Sequence, residues 1–113
     1  MKYIIAIIQP DRLEAVQKLL GEKQVNLLTV SQTMGHGRQM GITRVYRGRR
    51  EAGDLLKKIK LEIAVNDDYL DSTVDAIKKG ARTGEIGDGK IFIFNLEDCV
   101  RIRTGETGSV AIG

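Results

Sequence analysis

The sequence lacks the features that identify a membrane-spanning, secreted or disulfide-stabilised protein. Its 113 residues include a single cysteine, Cys99, so no internal disulfide can form. No apolar run approaches the roughly 20 residues that cross a bilayer, and the apolar start Tyr3–Ile8 reaches Pro10 too soon for a cleavable signal peptide. We therefore predict one cytoplasmic domain, residues 1–113, in which Cys99 is a buried structural thiol and not a metal ligand.

Aromatic residues and net charge are both scarce, which argues against a protein dedicated to nucleic acid. The formal net charge is +3 and 4% of the residues are aromatic. The positive charge is nevertheless concentrated between residues 36 and 58, where the basic residues are Arg38, Arg44, Arg47, Arg49, Arg50, Lys57 and Lys58. Such a segment could follow phosphates, but Tyr46 is the one aromatic ring within it that could stack on a base, so we predict no nucleic-acid partner.

Two helical and four strand-like segments follow one another along the chain. Apolar spacing predicts a helix from about Asp11 to Glu22, opened by a capping box of Asp11 with Glu14, and a second helix that begins at Asp67 and ends at Gly80. The expected strands are Tyr3–Gln9, Asn26–Thr33, Ile59–Val65 and Ile91–Phe94. Glycines interrupt residues 35–53 and leave no sustained period, which predicts a long loop there.

This order of elements predicts an α+β fold, the ferredoxin-like βαββαβ arrangement with a long loop between strands 2 and 3. Two helices can cover only one face of such a sheet. Ile4–Ile8 and Ile91–Phe94 are apolar at both alternating positions, so the second face also needs cover. We expect another subunit to provide it. The alternative is that the C-terminal segment, about residues 96–113, fills this face.

Residues 84–90 satisfy the spacing of a phosphate-binding P-loop but not its context. Ile91 replaces the serine or threonine that would hold magnesium, and a strand pattern follows instead of a helix, so we reject a Walker site. Successive flexible residues still allow backbone N–H groups to converge on an anion beside Lys90. Phosphate binding and a plain turn between helix and strand are both compatible with this segment alone.

A pair of arginines near the C-terminus is the second candidate for phosphate binding. Arg101 and Arg103 alternate with Val100 and Ile102, which places both guanidinium groups on one face of an extended segment. A polyphosphate bound between them would relieve their repulsion, whereas a solvated charged face is the other explanation. Taken together with the glycine-rich turn, the pair favours phosphate recognition.

Residues 35–41 carry glycines at nearly the spacing of a dinucleotide motif. The third glycine, Gly41, comes one place late and no helix follows, so we expect no Rossmann fold. His36, the sole histidine, has no serine, cysteine or second histidine at catalytic spacing, and we assign it no chemistry. An ATPase is the enzymatic alternative, but the sequence offers no water-activating base near a Walker-type magnesium ligand.

These segments, in this order, resemble the PII nitrogen-regulatory signal-transduction family. Residues 83–93 are similar to the family's C-terminal signature, residues 101–108 to its closing segment, and residues 35–41 to the base of its T-loop, here about residues 37–55. The resemblance runs from Met1 to about Gly108. It implies a homotrimeric regulator, not an enzyme, that controls an ammonium transporter or an enzyme of nitrogen metabolism and is peripheral to the membrane only through such a transporter.

The resemblance also implies three clefts between subunits in which ATP and ADP compete. One wall would be formed by Thr29, Gly35, Gly37, Arg38, Gly87, Asp88, Gly89 and Lys90. The neighbouring subunit would close the cleft with Glu62, Arg101 and Arg103. By the same likeness, Gln39 would ligate a Mg²⁺ ion shared by ATP and 2-oxoglutarate, and Lys58 would pair with the distal carboxylate of 2-oxoglutarate.

The loop keeps one part of the family pattern and departs from another. Tyr46 and Arg47 match the local sequence from which an arginine enters a transporter pore in the family. Glu51 stands where the family's nucleotidylated tyrosine stands, Arg49 where some relatives carry a phosphorylatable serine, and Lys57 where a proline usually precedes the effector lysine. We therefore expect no control by those modifications. The alternative function is a divergent PII-like nucleotide sensor with another effector and a non-nitrogen target.

Overall fold

The computed structural model describes residues 1–36, 45–46, 49–50 and 55–113, the two short ranges by their backbone only. The strands are β1 (Lys2–Ile8), β2 (Thr29–Gly35), β3 (Val45–Tyr46), β4 (Arg49–Arg50), β5 (Leu56–Val65) and β6 (Lys90–Asn95). The helices are α1 (Leu13–Glu22), α2 (Leu70–Ala81) and the short α3 (Ser109–Ile112), with 3-10 turns at Pro10–Arg12 and Asp67–Tyr69. None of the helices in these ranges has the length and apolar character needed to cross a bilayer.

Four strands form one antiparallel sheet in the order β2, β5, β1, β6. With α1 between β1 and β2 and α2 between β5 and β6, this confirms the predicted ferredoxin-like βαββαβ fold. Strands β3 and β4 pair with each other in a separate hairpin, inside the segment predicted to be a long loop. Strands of two residues are too short to produce a hydrophobic period, so the sequence did not indicate this pairing.

The core lies between the sheet and helices α1 and α2. Its buried apolar side chains include Ile4, Ala6 and Ile8 from β1, Ile59, Leu61, Ile63 and Val65 from β5, and Val16, Leu20, Ala76 and Ile77 from the helices. Successive strand side chains point to opposite faces, so one alternating set from each central strand faces the helices. The alternation predicted for Ile59–Val65 is therefore confirmed, although β5 begins earlier, at Leu56.

Three predicted element starts are wrong because the chain turns where regular structure was expected. The second helix, predicted to begin at Asp67, begins at Leu70 after a 3-10 turn. Before β2, the Val25 N–H donates to the Leu20 carbonyl at 2.9 Å and Gln24 has φ +62°, so the strand begins at Thr29 and not at Asn26. Before α1, a 3-10 turn places Asp11 inside the turn. Neither it nor α1 has a side-chain cap, so the predicted capping box does not form.

Gly80 does not end the second helix, as was predicted, but packs it against the first. α2 continues to Ala81, and Gly80 is buried. A Cβ atom at residue 80 would lie 2.8 Å from Val16 Cα and 2.9 Å from Val16 N. The absent side chain therefore allows the two helix backbones to approach. Arg12 Nε donates to the Gly80 carbonyl at 2.9 Å and satisfies one of the last carbonyl groups of α2.

The second face of the sheet is left uncovered within one chain. Phe92 and Phe94 lie there, 46% and 49% exposed, opposite Ile5 and Tyr3 of β1. The C-terminal segment does not cover them. Its helix α3 is held instead at the far end of β5, where Asn66 Nδ2 donates to the Ser109 carbonyl at 3.1 Å. The alternative in which this segment fills the face is therefore wrong for the isolated chain.

Cys99 is only partly buried, so the prediction of a buried structural thiol is wrong. Its backbone belongs to a C-terminal turn: the Cys99 N–H donates to Asp98 Oδ1 at 2.8 Å, and its carbonyl accepts from the Gly108 N–H at 3.0 Å. These contacts place Cys99 in the C-terminal turn.

Gly80→Ala should destabilise the protein despite alanine's higher helix propensity. The new methyl group would meet the Val16 backbone, which cannot move aside as a flexible side chain can, and we expect a loss of about 1–3 kcal/mol. Urea unfolding followed by circular dichroism measures this loss. Gly21→Ala is the matched control, since a Cβ there meets only Asn26 Oδ1 at 3.7 Å; it should be neutral or stabilising by up to about 1 kcal/mol. Equal effects of the two variants would contradict the packing role of Gly80.

Candidate functional site

The sheet topology gathers four strand ends at one edge of the molecule. β1 ends beside the start of β5, β6 begins opposite Ile7, and β2 reaches the same edge at Gly35. A cavity of about 560 Å³ lies there, a volume typical of small-molecule sites. Its lining consists of Ile7, Thr33, Met34, Gly35, His36, Lys58, Glu85, Gly87, Asp88, Gly89, Lys90 and Phe92.

A glycine-rich turn between α2 and β6 forms one side of this cavity. Gly84, Gly87 and Gly89 have φ angles of +90°, +103° and +104°, which residues with side chains rarely adopt. At Gly89 space is also lacking, because a Cβ atom would lie 1.7 Å from the Ile7 carbonyl oxygen. The turn therefore lies directly on the end of β1, and residue 89 can only be glycine.

The carboxylate of Asp88 holds this turn together from inside. Its Oδ2 atom accepts the backbone N–H groups of Thr83 and Gly84, each at 2.9 Å, and its Oδ1 atom accepts the Thr83 hydroxyl. The Thr83 hydroxyl first, and then the two backbone N–H groups, lower the pKa of Asp88 below its usual range. Asp88 thus stays ionised and organises the turn, while the cavity's positive charge comes from elsewhere.

Two lysines bring positive charge to the cavity, whose lining also includes the carboxylates of Glu85 and Asp88. Lys58 is 7% exposed, and its Nζ atom lies 3.3 Å from the Gly87 carbonyl oxygen. Lys90 is exposed at the start of β6. Gln9 Nε2 donates to the same Gly87 carbonyl at 2.6 Å. Two ammonium groups beside a turn rich in backbone N–H groups can bind a multiply charged anion.

The cavity brings together a large part of the predicted site. The predicted residues that line it are Gly35, Lys58, Gly87, Asp88, Gly89 and Lys90. His36, to which we assigned no chemistry, also lines it, as do Ile7 and Phe92. The sequence did not predict Ile7 and Phe92 as site residues, because apolar residues in strands usually belong to the hydrophobic core. It missed Gln9 because a single glutamine after a strand belongs to no pattern.

Thr29 and Glu62 lie apart from this cavity. They are register partners in the β2–β5 pair, and Thr29 is six residues, about 20 Å, from Gly35 along the strand. The Tyr3 hydroxyl donates to Glu62 Oε2, and Lys60 Nζ lies 3.2 Å from Oε1. The hydrogen bond from Tyr3, followed by that from Lys60, lowers the pKa of Glu62. The hydrogen bond between Tyr3 and Glu62 also raises the pKa of Tyr3. Within one chain, Thr29 therefore stands with Glu62 and not with the glycine-rich turn.

The two arginines do not lie side by side on an extended segment, so that prediction is wrong. Residues 102–104 form a turn, in which the Gly105 N–H donates to the Arg101 carbonyl at 2.8 Å and Gly105 has φ +74°. Ile102, expected on the face opposite to the arginines, is 99% exposed. Glycine's access to positive φ makes the turn possible, and the expected alternation ends there.

Arg101 and Arg103 consequently have different surroundings. Arg101 Nη1 lies 2.8 Å from Glu106 Oε1, and its Nη2 donates to the Val110 carbonyl at 3.1 Å. Arg103 is exposed at the turn. Arg101 therefore stabilises the C-terminal turn in the isolated chain, while Arg103 is oriented toward solvent.

Several predicted residues lie outside the part of the chain that the structure describes. They are Gly37, Arg38, Gln39 and Arg47, and of Tyr46 only the backbone within β3 is described. Their roles stay predictions. Among the described residues, no group of three histidine, cysteine, aspartate or glutamate side chains is placed to hold a metal ion.

Comparison with known proteins gives one consistent result. The profile of the family "Nitrogen regulatory protein P-II" matches residues 1–106. The chain is 51% identical to nitrogen regulatory protein GlnK1 of Methanosarcina mazei, over 99% of this chain and 97% of that protein. It is 48% identical to nitrogen regulatory protein P-II 1 of Escherichia coli, over 99% and 100%. A crystal structure of Arabidopsis thaliana PII bound to citrate superposes with a TM-score of 0.80 at 35% identity, covering 98% of this chain and 88% of that one.

Asp88→Asn should loosen the glycine-rich turn in a pH-dependent way. The pKa of Asp88 is lower in the folded protein than in the unfolded chain. The ionised carboxylate therefore stabilises the folded protein fully above the usual aspartate pKa, and this stabilisation is lost as the pH falls through the pKa of the folded state. The wild type should therefore be more stable than the variant at pH 7, and the difference should shrink as the pH falls below about 4. Urea unfolding at both pH values measures this. A difference that stays constant with pH would contradict the role of the ionised carboxylate.

Proposed function

This chain belongs to the nitrogen regulatory protein P-II family, and from that premise we propose that it senses ATP and ADP and controls a transporter or enzyme of nitrogen metabolism. Members of the family are regulators, and this chain is a regulator and not an enzyme. Each subunit is a single domain, residues 1–113, in the cytoplasm. Its output is a changed affinity for a partner protein, and no bond need be broken.

The cavity at the strand ends is the observation that carries the proposal. A polyphosphate needs hydrogen-bond donors and positive charge, and the glycine-rich turn with Lys90 offers both, while Lys58 lies in the same cavity for a carboxylate effector. The volume of about 560 Å³ is sufficient for the phosphates and part of a nucleoside. Of the two nucleotides, ATP would bring Mg²⁺ with it, held by its own phosphates and by Gln39.

Residues away from the cavity complete the site when a neighbouring subunit is added. Glu62, Arg101 and Arg103 contribute to the next subunit's cavity, and the position of Thr29 beside Glu62 supports placing Thr29 with that group. In this arrangement Arg101 exchanges its contact with Glu106 for one with a phosphate. The uncovered apolar face with Phe92 and Phe94 supports a homotrimer, since exposed aromatic residues in a cluster typically mark an interface.

A carboxylate effector acts beside the nucleotide. Lys58 lies at the cavity and pairs with the distal carboxylate of 2-oxoglutarate, while Gln39 and the Mg²⁺ ion hold its other end. The similar Arabidopsis thaliana PII structure is bound to citrate, which supports a carboxylate as the class of ligand. Ligands at the loop base then select among conformations of the T-loop, about residues 37–55, and only some of these fit a partner. Tyr46 and Arg47 contact the partner, and Arg47 is the residue that enters the pore of an ammonium transporter.

A second candidate is a P-II-like nucleotide sensor with another effector and a non-nitrogen target. The departures at Arg49, Glu51 and Lys57 favour it, because they fall in the loop that contacts the partner and beside the effector lysine. The two candidates differ in their response to 2-oxoglutarate.

Phe94→Glu should convert the trimer to monomers. A carboxylate on the uncovered face would have to be buried without a partner if the subunits assembled. Light scattering of the purified protein measures the mass directly. Lys78→Glu, on the exposed side of α2, should stay trimeric. A wild-type chain that is monomeric at micromolar concentration would contradict the homotrimer.

Calorimetric titration with ADP and Mg-ATP, with and without 2-oxoglutarate, tests the nucleotide site. Lys90→Ala should weaken the binding of both nucleotides by about tenfold or more, because the substitution removes a charge-assisted contact. Lys58→Met should keep most ADP affinity and lose the response to 2-oxoglutarate. Lys78→Ala is the control for loss of a positive charge, and it should change neither the nucleotide affinity nor the response to 2-oxoglutarate.

The outcomes of that titration separate the candidates. Nucleotide binding that strengthens with 2-oxoglutarate supports the nitrogen sensor. Nucleotide binding that ignores 2-oxoglutarate supports the second candidate. A wild-type chain that binds neither nucleotide would contradict both.

A further inference from the structure

The carbonyl oxygen of Gly87 receives two side-chain donors from different parts of the sheet. Gln9 Nε2, just beyond β1, lies at 2.6 Å, and Lys58 Nζ, from β5, lies at 3.3 Å. Gln9 precedes the 3-10 turn that leads into α1, yet its side chain does not cap that turn. It extends instead across the sheet edge to a residue 78 positions away.

A hydrogen bond to this carbonyl fixes the orientation of the peptide group between Gly87 and Asp88. The peptide bond is planar and trans, so the N–H of Asp88 points opposite to the Gly87 carbonyl. Gly87 itself has φ +103°, a conformation that glycine can leave as readily as it adopts. The Gln9 bond therefore restricts a residue of the turn whose backbone would otherwise be free to rotate. The contact of Gly89 with Ile7 restricts the turn two residues later.

The two donors are not equivalent. The amide of Gln9 is neutral and forms the shorter bond, whereas the ammonium group of Lys58 is charged and more distant. An anionic ligand in the cavity attracts Lys58 and does not attract Gln9 in the same way. If Lys58 turned to such a ligand and no other donor were present, the Gly87 carbonyl would lose its partner at the moment of binding.

We infer that Gln9 is a positioning residue of the anion site: it holds the Gly87 carbonyl and so keeps the glycine-rich turn in place when Lys58 turns to an anionic ligand. The first half of this inference concerns the ligand-free protein. The second half rests on the proposed function, since it requires a ligand that binds Lys58.

Hydrogen exchange of the ligand-free protein tests the first half. Gln9→Met keeps the length of the side chain, removes the donor and adds no charge. It should raise exchange at the Thr83 and Gly84 amides, which the ordered turn protects, by about threefold to tenfold. Gln9→Lys restores a donor and should restore protection, which a merely space-filling residue would not do. Gln17→Ala, exposed on α1, is the control and should change nothing.

A double-variant cycle tests the sharing of the carbonyl. Lys58→Met alone should raise exchange at those amides less than Gln9→Met, and the two together should raise it by more than the product of the single effects, because each donor substitutes for the other. Unchanged exchange in Gln9→Met, or failure of Gln9→Lys to restore protection, would overturn the positioning role.

Titration of the same variants with ADP, and with 2-oxoglutarate in the presence of Mg-ATP, tests the second half. Gln9→Met should weaken 2-oxoglutarate binding by about threefold to tenfold, and Gln9→Lys should reverse this. Equal 2-oxoglutarate affinity in Gln9→Met and the wild type would overturn the second half. A wild type that binds no ADP overturns the proposed function and the second half together, while the exchange results still decide the first.

Discussion

The contact between Gly89 and the end of β1 is the constraint on which the site depends. Because the Gly89 backbone lies against the Ile7 carbonyl, the turn after α2 cannot move away from the sheet without losing the start of β6. This contact places Lys90 at the start of β6, opposite Ile7, and the buried Lys58 lines the same cavity. The antiparallel order of the sheet then brings Gly35 to the same edge. The site is thus a consequence of how the central strand β1 meets its two neighbours.

The same sheet divides its uncovered face into two chemically different halves. The β1 and β6 side carries Tyr3, Ile5, Phe92 and Phe94, while the β5 side carries Lys58, Lys60 and Glu62. The apolar half favours contact with another subunit, and the charged half favours a polar ligand. A face of this kind suits the subunit contact and the ligand site that are proposed above.

The sequence predicted those features that depend on period and order, and it failed where a single contact decides. The alternation of Ile59–Val65 and the order of the main elements follow from burial on one face, so both were predictable. Gly80 was misread because a helix-ending glycine and a glycine at a helix crossing look alike without the partner Val16. The arginine pair was misread because Gly105 bends a segment that alternation alone describes as extended. The bond of Gln9 to Gly87 joins residues 78 positions apart and had no local signal.

The carboxylate of Asp88 has a further consequence for how a ligand is received. It occupies the N–H groups of Thr83 and Gly84 with an internal anion, so that part of the turn is already assembled before any external anion arrives. A ligand that contacts the turn does not have to order it, and the conformational entropy of these residues has been lost during folding. Preorganisation of this kind favours rapid equilibration, because association need not wait for the turn to close. For the sensor of two competing nucleotides that we propose, the receptor surface is then ready before either ligand arrives.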